Sequence, residues 1–152
     1  RMHEFIKAAY VYQDNTFYSH PGYYIDYFEM RLAQLQVLHN LHYEIKKIRK
    51  MPKQALVIAD YIMYMADYVV EMNIPDQQIE KLEEISEQMK QEELPKTREE
   101  FEGRALLYHI LMDLEEFLVY KKRFVNGLDE KKLRIYWKQE MEQKDSANEL
   151  QK

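Results

Sequence analysis

Two histidines, His39 and His42, are the first residues whose type and spacing could do chemistry. Three apart, they share a face if the segment is helical, and two imidazoles on one face can serve a transition-metal ion. Helical di-iron proteins instead take a Glu-x-x-His pair from each of two helices. The residues three before His39, His42 and His109 are Gln36, His39 and Leu106, so that pattern is missing. Histidines at the edge of a core are the simpler expectation, and neither a metal nor a cofactor is predicted. Adjacent carboxylates recur at Glu83-Glu84, Glu92-Glu93, Glu99-Glu100 and Glu115-Glu116. Catalytic pairs need environments that drive their pKa values apart, which adjacency on an exposed helix does not supply.

Arg104 and His109 offer a second chemistry. Helical ribonucleases of the HEPN type carry Arg-x4–6-His, with His as general base and Arg steadying the phosphate. That motif usually has a polar residue after the Arg, and Ala105 stands there. The 152-residue chain is also acidic, with 27 acids against 22 bases and a formal charge of −5, where an RNA channel should be basic. No glycine-rich phosphate loop or nucleophile elbow is present. With no cysteine, thiol catalysis, disulfides and Cys-ligated zinc are excluded. The expectation is a protein that is not an enzyme, with no nucleic-acid partner and no catalytic residues.

The elements that would position such groups are helices. Three glycines and four prolines are too few for a many-stranded β protein. Pro21, Pro52, Pro75 and Pro95 are spaced like helix boundaries, because proline suits a first turn and disrupts an interior. Ala55, Ile58, Ile62, Met65, Val69 and Met72 step by three and four, the period of one buried helix face. Ile25, Phe28, Leu32, Leu35 and Leu38 form one stripe after Pro21, and Met30, Val37, Leu41, Ile45 and Ile48 form another beside it. A face that wide implies more than one neighbouring helix. Thr97-Arg98-Glu99-Glu100 fits the capping box S/T-x-x-E, and Gly127 marks a stop. Helices are predicted near 2–14, 22–49, 53–72, 76–92, 97–125 and 129–143. The fold class is all-α: an antiparallel bundle of four core helices with additional N- and C-terminal helices. Residues 1–20 read as a connecting helix, 21–127 as the bundle and 128–152 as a last helix with a polar tail. The most apolar window, Ala55 to Met72, contains Asp60, Asp67 and Glu71, and a centred Asp costs about 2.5–3.5 kcal/mol in membrane insertion. It reads as a buried helix of a soluble domain.

Three surface features stand out. Tyr10, Tyr12, Phe17, Tyr18, Tyr23, Tyr24, Tyr27 and Phe28 crowd the N-terminal stretch, and tyrosine suits interfaces and ligand pockets. Residues 76–102 hold ten acids against four bases, the mark of a solvated helix face. Basic residues cluster at Lys46, Lys47, Arg49, Lys50 and Lys53, and again at Lys121, Lys122, Arg123, Lys131, Lys132 and Arg134. Near helix C-termini they answer the dipole, and they also suit an anionic membrane surface.

The run LPKTREEFEGRALL from Leu94 to Leu107, with YHILMDLEEFLVYKK after it and YFEMRLAQL upstream, resembles the C-terminal domain of the aromatic acid exporter family of Gram-positive bacteria. The resemblance covers about Tyr23 to Phe124. "Aromatic acid exporter" is a name that family carries by similarity, and the resemblance brings no catalytic set. It implies a helical domain on the cytoplasmic side of a plasma-membrane protein, with a multi-span membrane half N-terminal to residue 1. A start at Arg1 rather than Met agrees with that expectation. The implied function is an accessory role in assembly or regulation; the implied partners are that membrane half, further copies of the chain and an anionic membrane surface. The alternative is a sensor that stacks aromatic carboxylates on tyrosine and holds the carboxylate on Arg31 or Arg104. Candidate ligand or interface contacts are Tyr24, Tyr27, Arg31, Glu99, Glu102 and Arg104.

Overall fold

The computed structural model describes residues 21–128 together with residues 4, 7, 133, 137, 149 and 150. Four helices follow one another: α1 (Pro21–Lys46), α2 (Ala55–Ala66), α3 (Asp76–Lys90) and α4 (Arg98–Asn126). No strand occurs among the described residues. The helices expected at 2–14 and 129–143 lie outside them, apart from isolated positions. All four prolines sit at helix starts: Pro21 is the first residue of α1, Pro75 caps α3, and Pro52 and Pro95 each lie three residues ahead of a helix.

The longest helix, α4, is the hub, packing against each of the other three. Its apolar period buries Leu107, Ile110, Leu111, Leu114, Phe117 and Leu118 in one core with Val37 and Leu41 of α1, Ile58, Tyr61 and Met65 of α2, and Leu82, Ile85 and Met89 of α3. Contacts between Gln34 and Phe117, Glu44 and His109, and Pro52 and Gly103 run in opposite senses along the chain. Helix α1 is therefore antiparallel to α4, as short connections in a bundle dictate.

Among the four described helices the wide face of α1 packs on α4 alone, while Tyr23 at its start also bonds to Trp137. The stripe with Met30, Val37 and Leu41 is buried there, while Leu35 and Leu38 on the other stripe stay 46% and 39% exposed. Helix α2 ends at Ala66 rather than 72. Tyr68 and Val69 bond back to Met65 and Ala66 in tight turns, and the carbonyls of Val70 and Glu71 accept hydrogen bonds from the Lys121 ammonium. A side chain fifty residues away thus supplies donors to carbonyls just ahead of Pro75, which has no N–H to offer Glu71.

The capping box is present with one change. Thr97 has extended backbone and its Oγ1 accepts from the Glu100 N–H at 3.1 Å, but the Glu100 carboxylate takes the N–H of Lys96 rather than of Thr97. Thr97→Ala is expected to lower stability by about 1 kcal/mol, with Thr97→Ser near neutral, in urea unfolding. No helix among the described residues is long and apolar enough to cross a membrane.

Candidate functional site

The six candidate contacts fall into separate places. Tyr27 and Arg31 line an apolar groove of about 270 Å³ between α1 and the α2–α3 connection. Phe28, Leu32, Leu35 and Leu38 of α1, Val69 of the connection and Phe117 of α4 form its walls. Helices α1 and α2 do not pack on each other, and the groove lies on that side of α1. Arg31 is held at its edge: Nε donates to Tyr27 Oη at 3.1 Å and Nη1 to Gln34 Oε1 at 2.7 Å. Gln34 is itself buried and donates to the Phe117 carbonyl at 2.8 Å. Tyr24 is not a groove residue; it packs edge-on against Tyr23.

At the other end of the α1–α4 pair, Glu99 and Arg104 line a polar cleft of about 550 Å³ with Lys50, Lys53, Glu92, Glu93 and Glu100. Glu99 also joins Glu102, Lys47 and Arg49 along an adjacent cleft. Glu102 pairs with Arg98 at 3.2 Å, an exposed pair of small energetic weight. Arg104 and Phe117 are thirteen residues apart on α4, roughly 20 Å along its axis, so Arg31 does not share a site with Glu99, Glu102 and Arg104. Close packing explains part of this stretch. A Cβ added to Gly103 would lie 2.9 Å from Pro52 Cγ, so the glycine lets the α1–α2 connection rest on α4. Gly103→Ala is expected to destabilise by about 1–2 kcal/mol despite alanine's better helix propensity. In a Pro52→Ala background the same change should become stabilising, which a double-mutant cycle by urea unfolding would show.

Arg104 and His109 are not brought together: five residues on a helix are about 140° apart. His109 Nε2 instead lies 3.9 Å from Glu44 Oε1 and 3.8 Å from Asp113 Oδ2. His39 and His42 are exposed beside Tyr43, and no group of three metal-ligating side chains occurs among the described residues. Asp113 Oδ2 is buried without a hydrogen bond. Burial raises the Asp113 pKa, His109 opposes the rise, and Glu116 and Glu44 add to it. A raised folded-state pKa means stability is greatest below the unfolded value and falls as pH rises through the folded one. Asp113→Asn should flatten that fall, read as the difference in unfolding free energy between parent and variant from acid to neutral pH.

A polar cluster missed from sequence lies beside the start of α1. Lys121, 4% exposed, donates to the Val70 and Glu71 carbonyls and stands 5.8 Å from the ring centres of Tyr27 and Trp137. Trp137 Nε1 donates to Tyr23 Oη, and that hydroxyl donates to Glu71 Oε1 at 2.8 Å. Burial, foremost, pushes the Tyr23 phenol above its usual range, so it stays a donor. This corrects the reading of the second basic cluster: Lys121 is internal and Lys122 is paired with Asp76, leaving Arg123 as its exposed described member. Lys131, Lys132 and Arg134 lie outside the described residues.

An all-α domain with α4 as hub and no membrane-crossing helix among its described residues defines the class. The chain belongs to the family described as "Putative aromatic acid exporter C-terminal domain", which matches residues 1–122. It is 32% identical over 98 residues to the "Uncharacterized protein YqjA" of Bacillus subtilis, a match covering 64% of this chain and 30% of that protein. The chain thus matches under a third of that relative's length. A crystal structure of a "putative membrane protein" from Clostridium difficile 630 superposes with a TM-score of 0.68 at 26% identity, covering 81% of this chain and 72% of that one.

Proposed function

We propose that this chain is a non-catalytic accessory domain at the cytoplasmic face of a membrane protein, acting in that protein's assembly. The carrying observation is the match to the family's C-terminal domain over residues 1–122. The apolar stripe of α1 left uncovered at Leu35 and Leu38 supports it, because surface of that kind serves association. The aromatic residues Tyr10, Tyr12, Phe17 and Tyr18 extend the same chemistry in sequence. Sedimentation equilibrium of the 152-residue chain should show reversible self-association that weakens when residues 1–20 are removed. A monomer at all concentrations, with or without them, would refute self-association.

A second reading follows from one observation: Tyr27 and Arg31 line the same groove. On that reading the domain binds a small organic acid there, and occupancy regulates the membrane half. Chemical-shift changes at the groove on adding such acids would support it.

A further inference from the structure

The groove carries one fixed cation and little else that is polar. Arg31 has no carboxylate within 4 Å among the described residues, in a chain with 27 acidic residues. Its Nε and Nη1 are committed to Tyr27 and Gln34, which fixes the guanidinium and leaves Nη2 without a hydrogen-bond partner among the described residues. A planar, pre-positioned guanidinium without a counter-ion is built to receive a carboxylate. The Tyr27 hydroxyl accepts from Arg31 and keeps its own proton as a donor beside the guanidinium, while the Gln34 amide is tied to Arg31 and the Phe117 carbonyl. The polar groups thus gather at the Arg31 head and suit a carboxylate better than a sugar or a base. One positive charge suits a monoanion rather than a phosphate dianion.

Shape narrows the class further. The lining residues of α1 run from Tyr27 to Leu38, about 16 Å along the helix at 1.5 Å per residue. Arg31 stands near one end, among Tyr27, Phe28 and Phe117. Val69 lies at the Arg31 end too, and the rest of the groove along α1 is aliphatic, with Leu32, Leu35 and Leu38. A single ring would cover only the Arg31 end. We propose that the groove binds a carboxylate carried on an extended hydrocarbon chain, a medium-chain fatty acid, with its head on Arg31 and its chain towards Leu38. This rests on the small-acid reading above and names its ligand.

The test is calorimetric titration of the 152-residue chain with octanoate, decanoate, 1-decanol and phenylacetate, below the concentrations at which the acids aggregate. Decanoate should bind on the order of tenfold more tightly than octanoate, since each buried methylene adds to transfer free energy. Decanol should bind at least tenfold more weakly than decanoate. Arg31→Gln should remove most of that difference, and Leu38→Ala, at a half-exposed position outside the core, should reduce the decanoate-to-octanoate ratio. Phenylacetate binding without decanoate binding overturns the chain assignment and leaves the small-acid reading standing. Silence from all the acids at millimolar concentration overturns both. Equal affinity for decanol and decanoate overturns the role of Arg31.

Discussion

Truncating Leu114 to Ala is expected to lower the free energy of unfolding by about 3–5 kcal/mol, the range for a large aliphatic side chain that leaves an unfilled cavity. Leu114 is 1% exposed in the middle of α4, the one helix that touches the other three. Collapse around the gap would have to move α4 against all its neighbours, so little of the cavity can relax. A domain of this size has roughly 5–15 kcal/mol of stability in total, so the change is close to the limit of what it tolerates. Met112, two residues away and 64% exposed, provides the control. Met112→Ala should stay within about 0.5 kcal/mol. Equal midpoints for the two variants in urea would mean that α4 does not face the core as described.

Lys121→Met should cost about 1–3 kcal/mol, because it removes the shared donor of two part-buried carbonyls and a polar group left without its partner costs about that much. Methionine keeps the length of the side chain but cannot donate to the carbonyls of Val70 and Glu71. Relief from holding a charge out of water offsets part of the loss. The damage should be local first. Trp137 is the chain's single tryptophan and its ring stands 5.8 Å from the ammonium, so its emission should change in the folded state. Amide exchange in the α2–α3 connection should quicken relative to α4. A variant within 0.5 kcal/mol of the parent, with unchanged emission, would show that the ammonium does not organise this corner.

Much of the fold was legible because local and global signals agree. Thr97 caps α4, the prolines stand at helix starts, and the periodic stripes contain the buried Met30, Val37 and Leu41 of α1 and Ile58 and Met65 of α2. What escaped has one physical pattern. Among the described residues Gln34, Gln78, Asp113 and Lys121 are the buried polar ones, and each is spaced three or four from buried apolar neighbours on its helix. Lys121 lies four after Phe117 and seven after Leu114, so its period announces burial while its type suggests solvent. Tyr61 was passed over for the same reason. It is 2% exposed, and its hydroxyl donates to the Gln78 carbonyl at 2.7 Å. The connection after α2 is tied down by Lys121, a contact that no local window contains. The candidate residues divided because Arg31 and Arg104 face different elements: the α2–α3 connection in one case and the α1–α2 connection in the other. Sequence supplied Tyr27 and Arg31 as neighbours one turn apart, but the open groove beside them is bounded by Val69 and Phe117, which only the tertiary packing brings there.

Association rather than catalysis is the proposed work of this domain, and the size of the full-length assembly tests it most directly. On the proposal that this chain is one domain of a longer membrane protein, that protein with and without residues 1–152 would be expressed in the same membranes, cross-linked and sized after mild extraction. A domain that acts in assembly predicts that its removal leaves smaller particles, and that Leu35→Glu with Leu38→Glu moves the size in the same direction. Particles of identical size with and without the domain would contradict it.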